Sequence, residues 1–469
     1  MTVPPPGLIR GGVINDASGL NATPIHGRVP VSNISDIQTA IAYARASRLT
    51  ISAAGSRHSM GGQAFAAGGL VLDTTGFNRC TIDIPSRLIS VEAGATWHDI
   101  QEQLHPLLAV KAMQSSDIFS IGGSISVNAH GMDHRAGAVM RTLRRLKVVM
   151  ADGQVRTISP QSDPDLFRLI VGGYGLFAVI AEADIEVTSN VMCRPERRIV
   201  TYADLPWIFE NEVQPDDEIN LFYVHLSTAP GAGFLREALM YIYREVGPAR
   251  DDLPPLADAG FVSSRRLLVR LASKSAAFAR LKWFAEKHVE PWMESRSLSR
   301  RTALTADEAG LVSRNEPMHD SVPYLKGRPS MKTDILHEYF VPRDCLVKFI
   351  DAAREVLETA QALVINASVR VVHREQNFLT YAPDEAFSVV LYVSQCADAG
   401  GSQWMAELTT RLIDVTLDFN GRFFLPYQLH YDTARLKRSY PEIADFFQAK
   451  RRYDPEGLFN NTFYRKYAA

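Results

Sequence analysis

Apolar residues recur with two different textures along this 469-residue chain, and the change from one to the other divides it. Before about 190, short apolar runs alternate with helical stretches. Residues 30–58 read as strand, helix, strand: Ser35 is a candidate N-cap, Ile37, Ile41 and Ala44 share a helical face, and Leu49 to Ala53 form the next strand. Leu70 to Asp73 predicts a buried strand and Leu88 to Val91 an alternating one. Thr96 with Asp99 carries a capping-box signature for a helix reaching Leu104. Runs 146–150 and 154–158 flank Asp152-Gly153, a pair suited to a tight hairpin. A helix closing over Phe167 to Val171 and a strand from Ala178 to Val187 complete this part.

From about 195 to 430 the strands are longer: Asn220 to Leu226, Ala238 to Arg244, Asp334 to Val341, Val364 to His373 and Phe387 to Ser394, with a helix over 344–362. This pattern predicts an antiparallel sheet backed by helices, separate from the first part. The expected class is α+β, with divisions at 1–192, 193–430 and 431–469. The length supports two cores rather than one.

Composition narrows the function. A formal charge of −2 supplies no global attraction to nucleic acid. Four cysteines (Cys80, Cys193, Cys345 and Cys396) without paired spacing suit buried thiols in a reducing compartment better than disulfides or zinc. Met1 to Arg10 lacks the apolar stretch of a secretory signal, and no uncharged run is long enough to span a bilayer, so a cytoplasmic protein is expected.

Three glycine-rich segments carry the chemistry. They are Ala53-Ala54-Gly55-Ser56-Arg57-His58-Ser59-Met60-Gly61-Gly62, Ile121-Gly122-Gly123-Ser124-Ile125-Ser126-Val127-Asn128-Ala129-His130-Gly131, and Val171-Gly172-Gly173-Tyr174-Gly175. Chain with few side chains can bring its N–H groups close to phosphate oxygens. Three such loops within one stretch suggest a long anionic ligand. No glycine fingerprint of the nicotinamide type follows a strand with an acidic residue about twenty positions on, so a doubly wound nucleotide fold is not predicted. His130 and His134 are four apart, but Gly131 and Gly137 break the helix that would align both rings on zinc, so no metal is predicted there.

The loop order and spacing resemble the vanillyl-alcohol-oxidase superfamily of FAD enzymes, with the PCMH-type flavin domain. Gly55-Ser56-Arg57-His58-Ser59 is similar to the alditol and aldonolactone oxidases, whose corresponding histidine is bonded to the flavin. Gly122-Gly123 with Ala129-His130-Gly131 resembles the decaprenylphosphoryl-ribose oxidases. The resemblance covers 25–190 well, 330–469 more loosely, and little between.

It implies FAD, attached covalently through His58. Contacts are implied from Ser56, Arg57, Ser59 and Met60, from Ser116 and Asp117, from Gly122, Gly123, Ser124 and Asn128, and from Gly173, Ile180 and Asn461. His130 is implied beside the flavin ring or pyrophosphate. Ser368-Val369-Arg370 aligns with a Glu-x-Arg pair that faces substrate in the relatives. Only Arg370 is present, and Glu338 or Glu375 could supply the carboxylate. Tyr427 or Gln428 stands where relatives place a catalytic lysine, and His430 is a candidate base by its intrinsic pKa.

The implied reaction is oxidation of a CH–OH group of a sugar, polyol, lactone or similar metabolite by hydride transfer to flavin N5. Oxygen or another acceptor would take the electrons. A ribose-phospholipid 2′-oxidase is one rival, against which Met132 replaces a frequent lysine; a non-catalytic flavin-binding protein is another. Within 261–293, Arg265, Arg266, Arg270, Lys274, Arg280, Lys282 and Lys287 alternate with apolar residues. That pattern fits either a helix packed on the second part or peripheral contact with an anionic membrane.

Overall fold

A computed structural model describes residues 4–256, 276–288, 310–320 and 331–468. Helices and largely antiparallel sheets make an α+β chain. Near the N-terminus a four-stranded sheet contains three mutually parallel strands, Gly27–Pro30, Leu70–Asp73 and Ile51–Ala54. Helix Ile34–Ser47 buries Ile37, Ile41 and Ala44, as the apolar spacing predicts. Its N-cap is Asn33 rather than Ser35, because the Asn33 side chain accepts from Asp36 N while the Asp36 carboxylate returns to the cap backbone. Thr96 and Asp99 form the same reciprocal cap on helix Trp97–Leu104.

A six-stranded antiparallel sheet follows, with Ala178–Ser189 paired to Leu143–Met150 and Leu88–Glu92. The Asp152-Gly153 hairpin is present, Val149 standing opposite Val155 and Gly153 taking a φ of +84°.

The third sheet has eight strands, all drawn from 192–423. At its centre Ile219–Leu226, Leu363–Val372, Ala386–Cys396 and Lys332–Pro342 lie side by side. Helices Leu346–Thr359 and Ala399–Asp418 pack together, and the second also meets strands Lys332–Pro342 and Ala386–Cys396. The opposite face carries the polar side chains that matter below.

The last residues return to the first sheet. Ile51 N donates to Leu458 O at 2.7 Å, and Asn460 N donates to Ile51 O at 2.9 Å. This return is held by a fully buried ion pair, Lys450 with Asp454, whose carboxylate also accepts from Leu458 N and Phe459 N. Burial pushes the Lys450 amine below its usual pKa, and Asp454 opposes the shift.

Two expectations change. The four cysteines are unpaired, but only Cys193 is buried and Cys396 is exposed. Of the segment 261–293, residues 261–275 and 289–293 lie outside the described residues, Arg265, Arg266, Arg270 and Lys274 among them. Helix Ala276–His288 is described, and its cations hold protein partners: Arg280 donates to Pro230 O, Lys282 pairs with Glu286 and Lys287 with Glu237. Trp283 is buried against the sheet, so this stretch follows the packed-helix alternative. Among the described residues no helix is long and apolar enough to cross a membrane.

Replacing Lys450 by Met leaves the Asp454 charge buried and uncompensated. Equilibrium denaturation should show a loss of about 3–5 kcal/mol. The double variant Lys450→Met/Asp454→Asn should recover part of it.

Candidate functional site

The first two glycine loops approach one another closely. An ideal Cβ on Gly55 would stand 2.1 Å from Ser120 Oγ, and one on Gly122 would stand 2.9 Å from the Ala93 Cβ. Neither position has room for a side chain, so the first loop packs directly on Ser120 and the second on Ala93. Beside them the Ser115 and Ser116 hydroxyls are buried and lack hydrogen-bond partners, although a buried hydroxyl ordinarily finds one. Closely packed glycine loops with two unsatisfied hydroxyls nearby in the chain fit the oxygen-rich pyrophosphate of a dinucleotide.

His58 projects from the first loop, its ring edge-on to Phe119 at 5.1 Å. Ser56 and Ser59 are partly exposed on the same loop. Arg57 is exposed at a φ of +54°, and its carbonyl accepts from Ala17 N. The loop is then fastened to the chain that carries Tyr427. Met60 N donates to Pro426 O at 2.8 Å, while the Gln63 amide donates to Leu425 O and Tyr427 O at 2.8 and 2.9 Å.

The segment carrying Tyr427 also meets a buried carboxylate. Glu338 lies on strand Lys332–Pro342 and accepts from His130 Nε2 at 2.7 Å, Ser388 Oγ at 2.6 Å and Tyr427 OH at 3.3 Å. Strand register explains the grouping. Glu338 pairs with Val390, Ser388 pairs with Phe340 on one side and Arg370 on the other, and Val369 faces Val224. Alternation therefore puts Glu338, Ser388, Arg370 and Tyr223 on one face of the sheet. Arg370 is half-buried, with Glu338, Tyr427 and Tyr223 as its electrostatic neighbours, and its buried Nε has no hydrogen-bond partner.

Burial would raise the Glu338 pKa. The charge and hydrogen bond of His130, the Ser388 hydroxyl and Arg370 outweigh it and hold the carboxyl below its ordinary value. Burial and the same carboxylate push the Tyr427 phenol well above 10. An ionised carboxylate thus meets a protonated phenol beside a guanidinium whose Nε lacks a partner. This arrangement can orient a hydroxyl group and remove its proton.

Other predicted residues are committed to the protein. Asp117 directs its carboxylate to His98 and His319. The Ser124 hydroxyl joins Trp97 Nε1, Gln114 and Ser120 O, so any ligand contact there comes from backbone. The Asn128 side chain bonds Asn377 and Met140 N. Asn461 caps helix Thr462–Tyr467 and donates to Tyr174 O. Met60 is buried, its sulfur accepting from Leu336 N.

The third glycine turn packs on helix Ile121–Val127, since Gly172 N donates to Ile125 O. Gly173 has no room for a Cβ because Leu169 O would stand 1.9 Å away. Ile180 is buried in strand Ala178–Ser189, opposite Val148. Gly123 meets only Ser120 Oγ, at 3.1 Å, and is the more open of the glycine pair.

His430 is separated from the carboxylate cluster. It neighbours Lys466 and His337, and His337 contacts Met405 on the helix-covered face, opposite its neighbour Glu338. Burial, then Lys466, lowers its pKa to about 4, which weakens it as a base. Glu375 also departs, accepting from Arg141 Nε and Ala138 N. His134 bonds Ile219 O, edge-on to Phe209 and Phe222, whereas His130 bonds Glu338, so the pair shares no ligand position. Ser388 and Tyr223 escaped the sequence reading; their signal is a polar residue recurring at even spacing within otherwise apolar strands.

The profile of a domain family described as FAD binding domain matches residues 26–159. Those residues are thus similar to an FAD-binding domain. It is 33% identical over 178 residues to an uncharacterized oxidoreductase of the fasciation locus of Rhodococcoides fascians, covering 35% of this chain and 39% of that one. It is 36% identical over 140 residues to the decaprenylphosphoryl-β-D-ribose oxidase of Mycolicibacterium smegmatis, covering 29% and 30%. Both matches therefore span well under half of those relatives. A longer match joins it to an alditol oxidase of a Streptomyces species, 22% identical over 392 residues and 82% of each chain.

Burial lowers the His134 pKa from 6.5 to about 4, so the folded state resists protonation that the unfolded chain accepts. The contribution is intact above pH 6.5 and is lost as the pH falls toward 4, amounting to about 2 kcal/mol between pH 7 and pH 5. Replacing His134 by Gln should flatten the pH dependence of the denaturation midpoint by that amount.

Proposed function

We propose that the chain is an FAD-dependent oxidoreductase acting on the CH–OH group of a sugar, polyol, lactone or related hydroxylated metabolite. The proposal divides it into an FAD-binding part over 1–192, a substrate-binding part over 193–430 and a returning segment over 431–469. The observation that carries the reading is Glu338, buried and ionised against His130, Ser388 and Tyr427 with Arg370 alongside. The names of the relatives, among them an alditol oxidase and a decaprenylphosphoryl-ribose oxidase, point to hydroxylated donors.

When bound, FAD supplies the hydride acceptor and delivers the electrons to oxygen or another acceptor. The residues handle the hydroxyl group. Arg370 offers its unpartnered Nε to the substrate oxygens and fixes their position. Tyr427 receives the hydroxyl proton as its own O–H proton passes to Glu338. His130 and Ser388 orient the carboxylate, and the buried setting excludes water. His58 supplies a ring nitrogen for a covalent link to the flavin. The resemblance of Gly55-Ser56-Arg57-His58-Ser59 and the fastening of that loop to the Tyr427 segment support this.

Mixing the anaerobic holoprotein with a library of sugars, polyols and lactones should bleach the flavin absorbance for at least one structural class. A bound flavin that no such donor reduces would refute the reading. With the donor found, Glu338→Gln should slow bleaching by about 10²–10⁴-fold, while flavin content stays unchanged. Acid-precipitated wild type should remain yellow, and His58→Ala should release all its flavin to the supernatant.

A further inference from the structure

A second cluster lies where helix Trp97–Leu104, the chain before helix Ile121–Val127 and the segment 310–320 meet. His98 Nδ1 stands 2.8 Å from Asp117 Oδ2, and His319 Nδ1 stands 3.2 Å from the same oxygen. Gln101 Oε1 lies 3.3 Å from His319 Nδ1. We propose that His98, Asp117, His319 and Gln101 form a structural site for one divalent transition-metal ion, of the size and donor preference of Zn²⁺.

Three observations converge. The first is spacing. Nitrogen and oxygen donors about 2.0–2.2 Å from a tetrahedral ion stand about 3.3–3.5 Å apart; the two separations at His319, 3.2 and 3.3 Å, come near this, and the 2.8 Å hydrogen bond between His98 and Asp117 would open to admit the ion. The histidine and carboxylate donor atoms all lie within 4.8 Å of one another.

The second is hydrogen-bond geometry. A neutral imidazole nitrogen carries at most one proton, yet His319 Nδ1 faces two oxygens, at 3.2 and 3.3 Å. These distances are at the long end for a single N–H donor. An ion placed among the donors engages both oxygens and the nitrogen lone pair together.

The third is burial. Asp117 and Gln101 are fully buried and His319 nearly so, while the Gln101 amide nitrogen has no partner. Its oxygen end is therefore the one the site uses. His98 and His319 lie side by side, ring centroids 4.5 Å apart. Glu102 approaches the far nitrogen of His98 at 3.6 Å, as an outer carboxylate does when it orients a metal-bound imidazole.

The site would staple the segment 310–320 to the loop that presents Ser115 and Ser116. Asp117 N already donates to Asp320 O across the same junction. The role is structural and independent of the flavin chemistry.

The test is metal content of the full-length protein purified without chelator, equilibrated with Zn²⁺ and passed through a desalting column. Plasma mass spectrometry should find one Zn²⁺ per chain in wild type and less than a tenth of that in His98→Ala/His319→Ala. Co²⁺ loading of wild type should add ligand-field absorption to the red of the flavin bands. If the double variant fails to fold, wild type still decides the matter. No stoichiometric metal, or Co²⁺ spectra indicating only water ligands, would reduce the cluster to hydrogen bonds and overturn the proposal. Metal retained in a folded double variant would overturn it equally.

Discussion

His130 and Glu338 meet at 2.7 Å, each almost completely buried, and come from parts of the chain 208 residues apart. A carboxylate removed from water without partners is strongly unfavourable. The sheet that presents Glu338 therefore has to close on the region that presents His130. That closure fixes the rest of the site. The chain after His58 is tied to Pro426 and Tyr427, which brings Tyr427 over the same carboxylate. Phe340, Tyr381 and Phe424 surround the His130 ring, so it has little freedom to rotate away.

Local sequence signals that depend on neighbours a few residues away were legible. The Thr96 cap, the Asp152-Gly153 hairpin and the apolar face of helix Ile34–Ser47 are found as expected. The shift of the cap from Ser35 to Asn33 shows the limit. Both residues can cap, and the choice falls to Asn33 because Asp36 stands three residues on to reciprocate.

Within the site, glycine was more readable than polar residues. Gly55 and Gly122 matter for the absence of a side chain, which nothing elsewhere can satisfy. Ser124, Asn128 and Asn461 also stand at the glycine turns, but Trp97, Met140 and Tyr464 use their polar atoms. A sequence does not show whether a hydroxyl or amide will be satisfied by distant chain. Strand parity did carry information that went unused. Glu338 and His337 are adjacent and must face opposite sides, so only one can share a face with Arg370.

The missing acid of the Ser368-Val369-Arg370 motif follows from the same register. A glutamate at 368 would lie on the strand of Arg370, two residues away. Glu338 sits in the same cross-strand row as Ser368, displaced by two strands, because both pair with Val390. The sheet thus keeps a carboxylate on the same face at the same height, but farther across it. The displacement places the acid beside Ser388 of the intervening strand, which donates to it. It also moves the acid toward His130 and Tyr427 and away from direct pairing with Arg370. The guanidinium keeps its Nε unsatisfied for another oxygen, while the carboxylate is held ionised by histidine and serine. On the proposed reading, the acid's place across the sheet separates two tasks that adjacent residues would share: Arg370 anchors a substrate oxygen, and Glu338 receives the proton relayed through Tyr427.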